Sequence, residues 1–254
     1  MKGFLFIIFC FLWCVLFAGT AKSQFGNKQQ QDNVKITFIN TINKQPVVLD
    51  SGNYTNCWNE NFTLSKLKYY ISNIRLQTTG KKINREENSY HLINEEDTSS
   101  KSLLLLMPPD EYASVSFLIG IDSLKNVSGA QTDALDPLNG MFWTWNTGYI
   151  MFKIEGNSPQ SASINNKIEY HIGGFSGTNT VLRNVKLNFG SNVISVKKDH
   201  LTEIFIRIDL EKIWNAGDDF KITNTPVCTS PGKLAAAIAD KYSKAFDIIT
   251  IIQQ

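Results

Sequence analysis

Three histidines are the residues best suited to chemistry in this chain, namely His91, His171 and His200. His91 and His171 stand in the strand-like segments SYHLIN and EYHIGGF, where a neutral imidazole can ligate a metal ion. A lone histidine in a strand is more often a hydrogen-bonded structural residue. His200 lies in KKDHLTE beside Asp199, which predicts an exposed turn. The spacing therefore leaves His91 and His171 open as metal ligands or as structural residues.

Aromatic residues crowd into a second candidate region, GMFWTWNTGYIMFKIEG at 140–156. They could form core, a stacking surface for a ligand, or the lining of a metal site. Both faces of the segment are apolar in an extended conformation, which predicts a central strand buried on two sides. A bulge is expected at 146–148. We interpret the block mainly as core, with Trp143, Trp145 and Tyr149 as candidate site lining.

A third candidate lies in the long irregular segment before that block. Asp133, Asp136 and Asn139 offer hard oxygen ligands that would suit Ca²⁺ if backbone carbonyls completed the shell. The pattern is not an EF-hand, because the required glycine and terminal glutamate are out of place. Asp136 followed by proline predicts a simple turn equally well. The sequence therefore leaves both interpretations open, a calcium site and a simple turn.

Familiar catalytic motifs are absent from the sequence. It contains no GxSxG, HExxH, Walker A loop or dinucleotide fingerprint. A serine triad needs a histidine oriented by a carboxylate, and no local context supports one. A glycosidase would use two carboxylates that lie far apart in the sequence, so the absence of local motifs does not test this class of enzyme. We expect the protein not to be an enzyme.

The N-terminus predicts export. Lys2 is followed by the apolar run FLFIIFCFLWCVLFAG and a small-x-small exit at Ala21 and Ser23, which indicates a cleaved signal peptide at 1–23. The run is shorter than the ~20 residues that span a bilayer. After a flexible tail at 24–32, we expect a periplasmic or secreted protein without a stable membrane anchor.

The net charge of the chain after the signal peptide indicates which partners to expect. Without Lys2 and Lys22, 23 basic residues balance the 23 acidic ones. No basic footprint remains, so we do not expect nucleic acid as a partner. The remaining length is enough for one domain with a sizeable core.

Two cysteines remain after signal cleavage, Cys57 and Cys228. In an oxidising compartment an isolated pair predicts one long-range disulfide. The rival interpretation, thiolate metal ligands, would call for a CxxC motif or a neighbouring histidine, and neither is present. We therefore predict a Cys57–Cys228 disulfide.

Short segments of alternating hydrophobicity dominate the rest of the chain and are divided by Gly, Asn and Pro. They are NVKITFIN, YYISNIRL, SVSFLIGID, KIEYHIGGF, TVLRNVKLNF, NVISVK and TEIFIRIDL. In the last one, Ile204, Ile206, Ile208 and Leu210 share one face. The pattern predicts one mainly β domain at 33–250, an antiparallel β-sandwich of the immunoglobulin-like or Greek-key type.

One segment, SPGKLAAAIADKYSKAF, predicts a C-terminal amphipathic α-helix of about four turns. Ser230 is the expected N-cap and Pro231 the first-turn residue. Apolar residues recur four apart at Leu234, Ile238, Tyr242 and Phe246. We expect this helix to lie on the sandwich.

The aromatic block and several strand segments together resemble the MbnP-like family of exported copper-binding proteins, some of them encoded beside methanobactin systems. The resemblance covers roughly residues 33 to 250, nearly all of the chain after the signal peptide. Its most specific elements are Met-x-Trp-x-Trp-x-x-Gly-Tyr and His-x-Gly. They are carried by Met141, Trp143, Trp145, Gly148 and Tyr149, and by His171 and Gly173.

The resemblance implies a monomeric β-sandwich that holds copper through histidines, with His91 and His171 as the matching pair. It also implies, for some members, a ligand made when a dihaem peroxidase-like partner oxidises a tryptophan to kynurenine. That tryptophan would lie two residues before the first histidine, where this chain has Ser89. The kynurenine ligand is therefore not expected here.

Two functions from different classes remain. One is an exported copper-binding protein that acts in copper acquisition, storage or delivery. The alternative is a β-sandwich that binds no metal and uses its aromatic block for protein or glycan contact at the cell surface. Copper titration of the protein and of its histidine variants separates the two.

Overall fold

The computed structural model describes residues 33–129, 131–143, 148–190, 193–214 and 220–253. The predicted signal peptide, the tail at 24–32 and Trp145 lie outside these residues. Strands account for most of the regular structure, which confirms the mainly β class. Neither described α-helix has the length and apolar character that a membrane crossing requires.

The described strands are β1 (Val34–Ile42), β2 (Gln45–Pro46), β3 (Tyr54–Thr55), β4 (Asn61–Thr78), β5 (Ile83–Arg85), β6 (Tyr90–Asn94), β7 (Ser102–Leu105), β8 (Asp110–Ile119), β9 (Phe142–Trp143), β10 (Gly148–Asn157), β11 (Lys167–Gly173), β12 (Arg183–Asn188), β13 (Ile194–Val196), β14 (Thr202–Asp209), β15 (Val227–Cys228) and β16 (Phe246–Gln253). The α-helices are α1 (Ser123–Asn126) and α2 (Lys233–Tyr242). Short 3₁₀ turns occur at Thr98–Lys101, Asp133–Leu135, Pro137–Asn139, Ile164–Asn166 and Leu210–Ile213.

The strands form two sheets. The first has the order β16-β14-β1-β2, with β7 also paired to β1. The second has the order β12-β8-β4-β10-β11-β15, with β13 on β8, β9 on β10, and β3, β5 and β6 on β4. Two pairs are parallel, β1 with β14 and β11 with β15, so the wholly antiparallel expectation is wrong. Strands so distant in sequence can pair in either direction, because long connections reach both ends of a partner. The immunoglobulin-like or Greek-key topology stays a prediction.

The core lies between the two sheets. Phe38 of β1 packs edge-on against Tyr69 of β4 and Phe117 of β8, with ring centroids 6.4 Å and 5.9 Å apart. Phe246 of β16 contacts the same two rings. The predicted apolar face of β14 is fully buried, as expected. Burial of one such side chain contributes roughly 1.5–3 kcal/mol.

The aromatic block folds as a hairpin, not as one bulged strand. Trp143 of β9 pairs with Gly148 of β10, and Phe142 pairs with Tyr149. Residues 144–147, which include the first two positions of the bulge expected at 146–148, lie outside the described residues. β10 itself is buried on both faces along most of its length, as the sequence predicts.

The predicted C-terminal helix exists but is shorter than expected. It begins at Lys233 after Gly232, whose φ of +154° suits only glycine, so Ser230 is not the N-cap. It ends at Tyr242, whose ring stacks on Phe152 at 4.6 Å and fixes the helix to the second sheet. Phe246 does not continue the helix, because it begins β16 and pairs with β14.

Candidate functional site

His91 lies on β6, directly opposite Ile71 of β4. Its Nε2 donates to Glu86, whose two carboxylate oxygens lie 2.9 Å and 3.0 Å away. Because a carboxylate only accepts hydrogen bonds, this contact fixes the proton of neutral His91 on Nε2. Nδ1 then keeps a free lone pair and makes no hydrogen bond within the described residues. The side chain is 23% exposed, so an ion can reach it from solvent.

Ser89 holds Glu86 from the other side. Its buried hydroxyl donates to the Glu86 carboxylate and accepts from the Ile74 amide at 2.9 Å. The carboxylate stands between serine and histidine, so this is not a serine triad, in which the histidine is central. A carboxylate on the second ring nitrogen is instead the arrangement that orients metal-ligating histidines.

His171 lies on β11, opposite Lys153 of β10. Its Nε2 donates to Oε1 of Glu155 at 2.9 Å, and its side chain is 19% exposed. Two ammonium groups share this carboxylate, Lys66 at 3.3 Å and Lys153 at 3.6 Å. The hydrogen bond from His171, assisted by both lysines and opposed by burial, lowers the pKa of Glu155 from 4.5 to about 2. His171 thus belongs to a charged network.

Lys153 also ties this network to the long segment that precedes the aromatic block. It is 9% exposed, and burial lowers the pKa of its ammonium group. Its Nζ donates to the Gly140 carbonyl at 2.6 Å. The hydroxyls of Tyr70 and Tyr149 donate to other carbonyls of the same segment. These three contacts hold 131–140 against the outer face of the second sheet.

The structure does not bring His91 and His171 together. Strands β4 and β10 lie between β6 and β11, which puts the two outer strands roughly 14 Å apart at about 4.8 Å per spacing. His171 is in register with Lys153 and Lys68, whereas His91 is in register with Ile71. Lys68 and Ile71 are three positions apart on β4, so the imidazoles project from opposite faces. No group of three His, Cys, Asp or Glu side chains with metal-ligand geometry occurs among the described residues.

His200 lies in an exposed turn, as the sequence predicts. Its Nδ1 contacts the Lys198 carbonyl at 3.0 Å, and the neighbouring Asp199 has a φ of +61°. Since a carbonyl only accepts, Nδ1 is the donor. This local contact accounts for His200 without a ligand.

The residues of the calcium prediction form turns. The Asp136 carboxylate accepts from the Leu138 amide at 2.8 Å and caps the following 3₁₀ turn. The side-chain amide of Asn139 donates to the Asp133 carbonyl at 2.9 Å. That carbonyl would have been a natural additional ligand for the ion. The contacts support the turn interpretation, and calcium binding stays a prediction.

The predicted disulfide between Cys57 and Cys228 is not formed, since both thiols are free. The Cys57 thiol donates to the Trp214 carbonyl at 2.6 Å. Cys228 is buried on β15, which raises the pKa of its thiol to about 11. Glu60 ties the early chain to its end instead, because its carboxylate accepts from the amides of residues 222–223 at 2.7 Å and 2.8 Å.

Trp143 and Tyr149, the candidate lining residues that the structure describes, are both buried. The Trp143 ring lies on the backbone of Gly173, where an added Cβ would be 2.5 Å from a ring carbon. Gly173 and His171 share one face of β11, because they are two residues apart. Trp143 is therefore core and, at the same time, the wall beside His171.

Sequence reasoning misses both carboxylates that hold the imidazoles. Glu86 is five residues from His91 across a turn, and an acidic residue before the turn residue Asn88 is a signal that could have found it. Glu155 is sixteen residues from His171, on the neighbouring strand. No local pattern predicts that second contact, because it depends on the register of β10 against β11.

Comparison with known proteins agrees with this architecture. The MbnP family model matches residues 31–230. Among solved structures, MbnP from Methylosinus trichosporium is similar with a TM-score of 0.54 and 14% identity, over 87% of this chain and 98% of that chain. No curated protein matches the chain. Because the family model spans most of its length, the chain belongs to the MbnP family.

Proposed function

We propose that this protein is an exported copper-binding protein that acts in copper acquisition, storage or delivery, with His91 as its imidazole ligand. The observation that carries this proposal is the pair of residues, Glu86 and Ser89, that fixes the orientation of the His91 ring. Glu86 holds Nε2 through both carboxylate oxygens, Ser89 holds Glu86, and Nδ1 makes no hydrogen bond to the part of the chain that the structure describes. An imidazole with one nitrogen on a carboxylate and the other free is ready to bind a metal.

The surroundings favour His91 over His171 as that ligand. His171 shares Glu155 with the ammonium groups of Lys153 and Lys66. Two unit positive charges a few ångströms away repel an incoming copper ion by roughly 1 kcal/mol or more each. Within the described residues, His91 is the ion-pairing partner of Glu86, and no lysine or arginine joins them.

The donor set points to delivery more than to storage. One imidazole leaves most copper coordination positions to other donors, and the described residues contain no group of three His, Cys, Asp or Glu side chains that could hold the ion. Copper held so openly exchanges readily with a partner or with solvent. Ser89 occupies the place where a tryptophan would precede the histidine, so a kynurenine ligand from a dihaem peroxidase-like partner has no precursor there.

Several further properties belong to this proposal. The apolar N-terminal run supports export to the periplasm or beyond. The absence of catalytic motifs from the sequence supports a binding protein rather than an enzyme. We propose a monomer, as the family resemblance implies. Edman or mass-spectrometric sequencing of the mature N-terminus tests cleavage after Ser23, and light scattering tests the monomer.

Competition titration tests the copper site. The purified protein is titrated with Cu(I) against a colorimetric chelator, together with His91→Ala and His171→Ala. We expect copper binding that is lost in His91→Ala and kept in His171→Ala. Binding that is indifferent to His91→Ala, or that requires His171 alone, contradicts the assignment. Circular dichroism of both variants shows whether they are folded.

A further inference from the structure

An open cavity of about 470 Å³ lies beside the aromatic hairpin, well within the size range of small-molecule sites. It is bounded by strands β9 and β10, by the loop that follows β11, and by the residues that precede α2. Its lining residues are Trp143, Gly148, Tyr149, Gly174, Phe175, Ser176, Asn179, Pro231 and Gly232. The copper proposal makes no use of this cavity.

The two most specific motifs of the sequence converge to build it. Gly173 lets the Trp143 ring lie directly on the β11 backbone, since any side chain there would collide with that ring. Gly174 has a φ of +121°, and an added Cβ would be 3.2 Å from Pro231. The paired glycines after His171 therefore serve the cavity wall and the turn that opens it, not the imidazole.

The buried aromatic side of the cavity is held in place before any ligand arrives. The Tyr149 hydroxyl donates to the Leu135 carbonyl at 2.6 Å, and its ring packs edge-on against Phe142 at 5.0 Å. The Tyr149 amide donates to the side chain of Asn126 at 3.3 Å. A wall fixed in this way needs little ordering when a ligand binds, which favours affinity.

The chemistry of the lining selects a neutral ligand. None of the lining residues carries a charge. The partly exposed Phe175 supplies most of the ring surface, because Trp143 and Tyr149 are 6% and 1% exposed and form the buried side of the cavity. The Ser176 hydroxyl and the Asn179 amide supply donors and acceptors, and neither side chain forms a hydrogen bond within the part of the chain that the structure describes. Rings combined with unused neutral polar groups suit a molecule with one apolar face and several hydroxyls.

We infer that this cavity is a binding site for a neutral saccharide, of about the size of a mono- or disaccharide. The sugar's C–H face lies against the Phe175 ring, and its hydroxyls bond to Asn179 and Ser176. An anionic ligand would find no lysine, arginine or histidine among the lining residues. This site is separate from His91, which lies on another strand and on the other face of the sheet.

Ligand-observed NMR and calorimetry test the inference on the purified full-length mature protein. The probes are glucose, galactose, N-acetylglucosamine and their methyl glycosides, with phenol and indole as flat aromatic comparators. We expect at least one saccharide to bind with a Kd of about 1 mM or tighter. Asn179→Ala should weaken that binding about five- to tenfold, the effect of one hydrogen bond.

Matched variants separate the cavity from the rest of the surface. Phe175→Ala removes a partly exposed ring and should also weaken saccharide binding, whereas Asn184→Ala on the exposed side of β12 should leave it unchanged. Thermal melts confirm that each variant is folded. The inference is overturned if no saccharide binds, if only phenol or indole binds, or if Asn179→Ala and Phe175→Ala bind as the parent does.

Discussion

Two histidine–glutamate pairs in this protein have the same contact and different surroundings. In each pair Nε2 donates to a carboxylate at 2.9 Å. Around Glu86 the other close donor is the neutral hydroxyl of Ser89, while Glu155 also faces the ammonium groups of Lys66 and Lys153. The same pair is therefore an oriented ligand in one place and part of a charge network in the other. The neighbours, more than the histidine itself, decide its role.

Acid stability gives the largest expected contrast between the pairs. The folded-state pKa of Glu155 is depressed from 4.5 to about 2, so its ionised form stabilises the fold above pH 4.5. That stability is lost as the pH falls from about 4.5 to about 2, and it amounts to about 3 kcal/mol. Urea unfolding at several pH values should show this loss in the parent and not in Glu155→Gln. Equal pH dependence of both proteins would contradict the role of Glu155.

Removing each carboxylate in turn tests the comparison through copper. Glu86→Ala frees the His91 ring, so copper affinity should fall about 10- to 100-fold. Glu155→Ala is the matched control and should change copper affinity by less than about twofold, because His171 is not the ligand. Chelator competition measures both. An equal loss of copper affinity in the two variants would contradict the different roles of the two histidine–glutamate pairs.

Removing a positive charge near His171 tests the same comparison at the second histidine. Lys153→Met deletes one ammonium group that faces Glu155, and the His91→Ala background removes the other site. Copper affinity at His171 should then rise about tenfold relative to His91→Ala alone, because less repulsion acts on the ion. No change would show that charge is not what keeps copper away from His171. Melting curves of the double variant check its fold.

The smallest effect is expected at Ser89. Ser89→Ala loses the hydroxyl contact to Glu86 and leaves the Ile74 amide without its acceptor. Stability should fall by about 1 kcal/mol and copper affinity by about threefold, since Glu86 becomes less restrained. Unfolding and competition assays measure the two quantities. A rise in copper affinity would show that Ser89 holds Glu86 in a position that weakens copper binding.

Several elements were predictable because their signal is local. The apolar face of β14 follows from Ile204, Ile206 and Ile208 at every second position, and all three are buried, as is Leu210 in the turn that follows. The C-terminal helix is predicted by its local spacing, but its N-cap is Gly232 and not the expected Ser230. Apolar residues spaced four apart continue to Phe246, yet pairing with β14 takes that residue into a strand. Tertiary contact overrides helical spacing at this boundary.

The candidate site was only partly predictable. His91 and His171 were identified as chemically able residues, and both are partly exposed and bonded to carboxylates. Their separation was not foreseen, because it depends on β4 and β10 standing between their strands. The Cys57–Cys228 pairing was wrong for a related reason. An oxidising compartment and an isolated pair of cysteines predict that the two can pair, but only the fold determines where each thiol lies.

By itself the sequence determined the mainly β class, the faces of its strands and the family to which the chain belongs. These properties rest on short-range periodicity and on motifs that are read along the chain. The tertiary structure alone decided which strands are neighbours, and so gave each histidine its own glutamate on opposite faces of one sheet. Pairing and register arise from contacts between distant residues, and a shift of one residue reverses the face of every side chain.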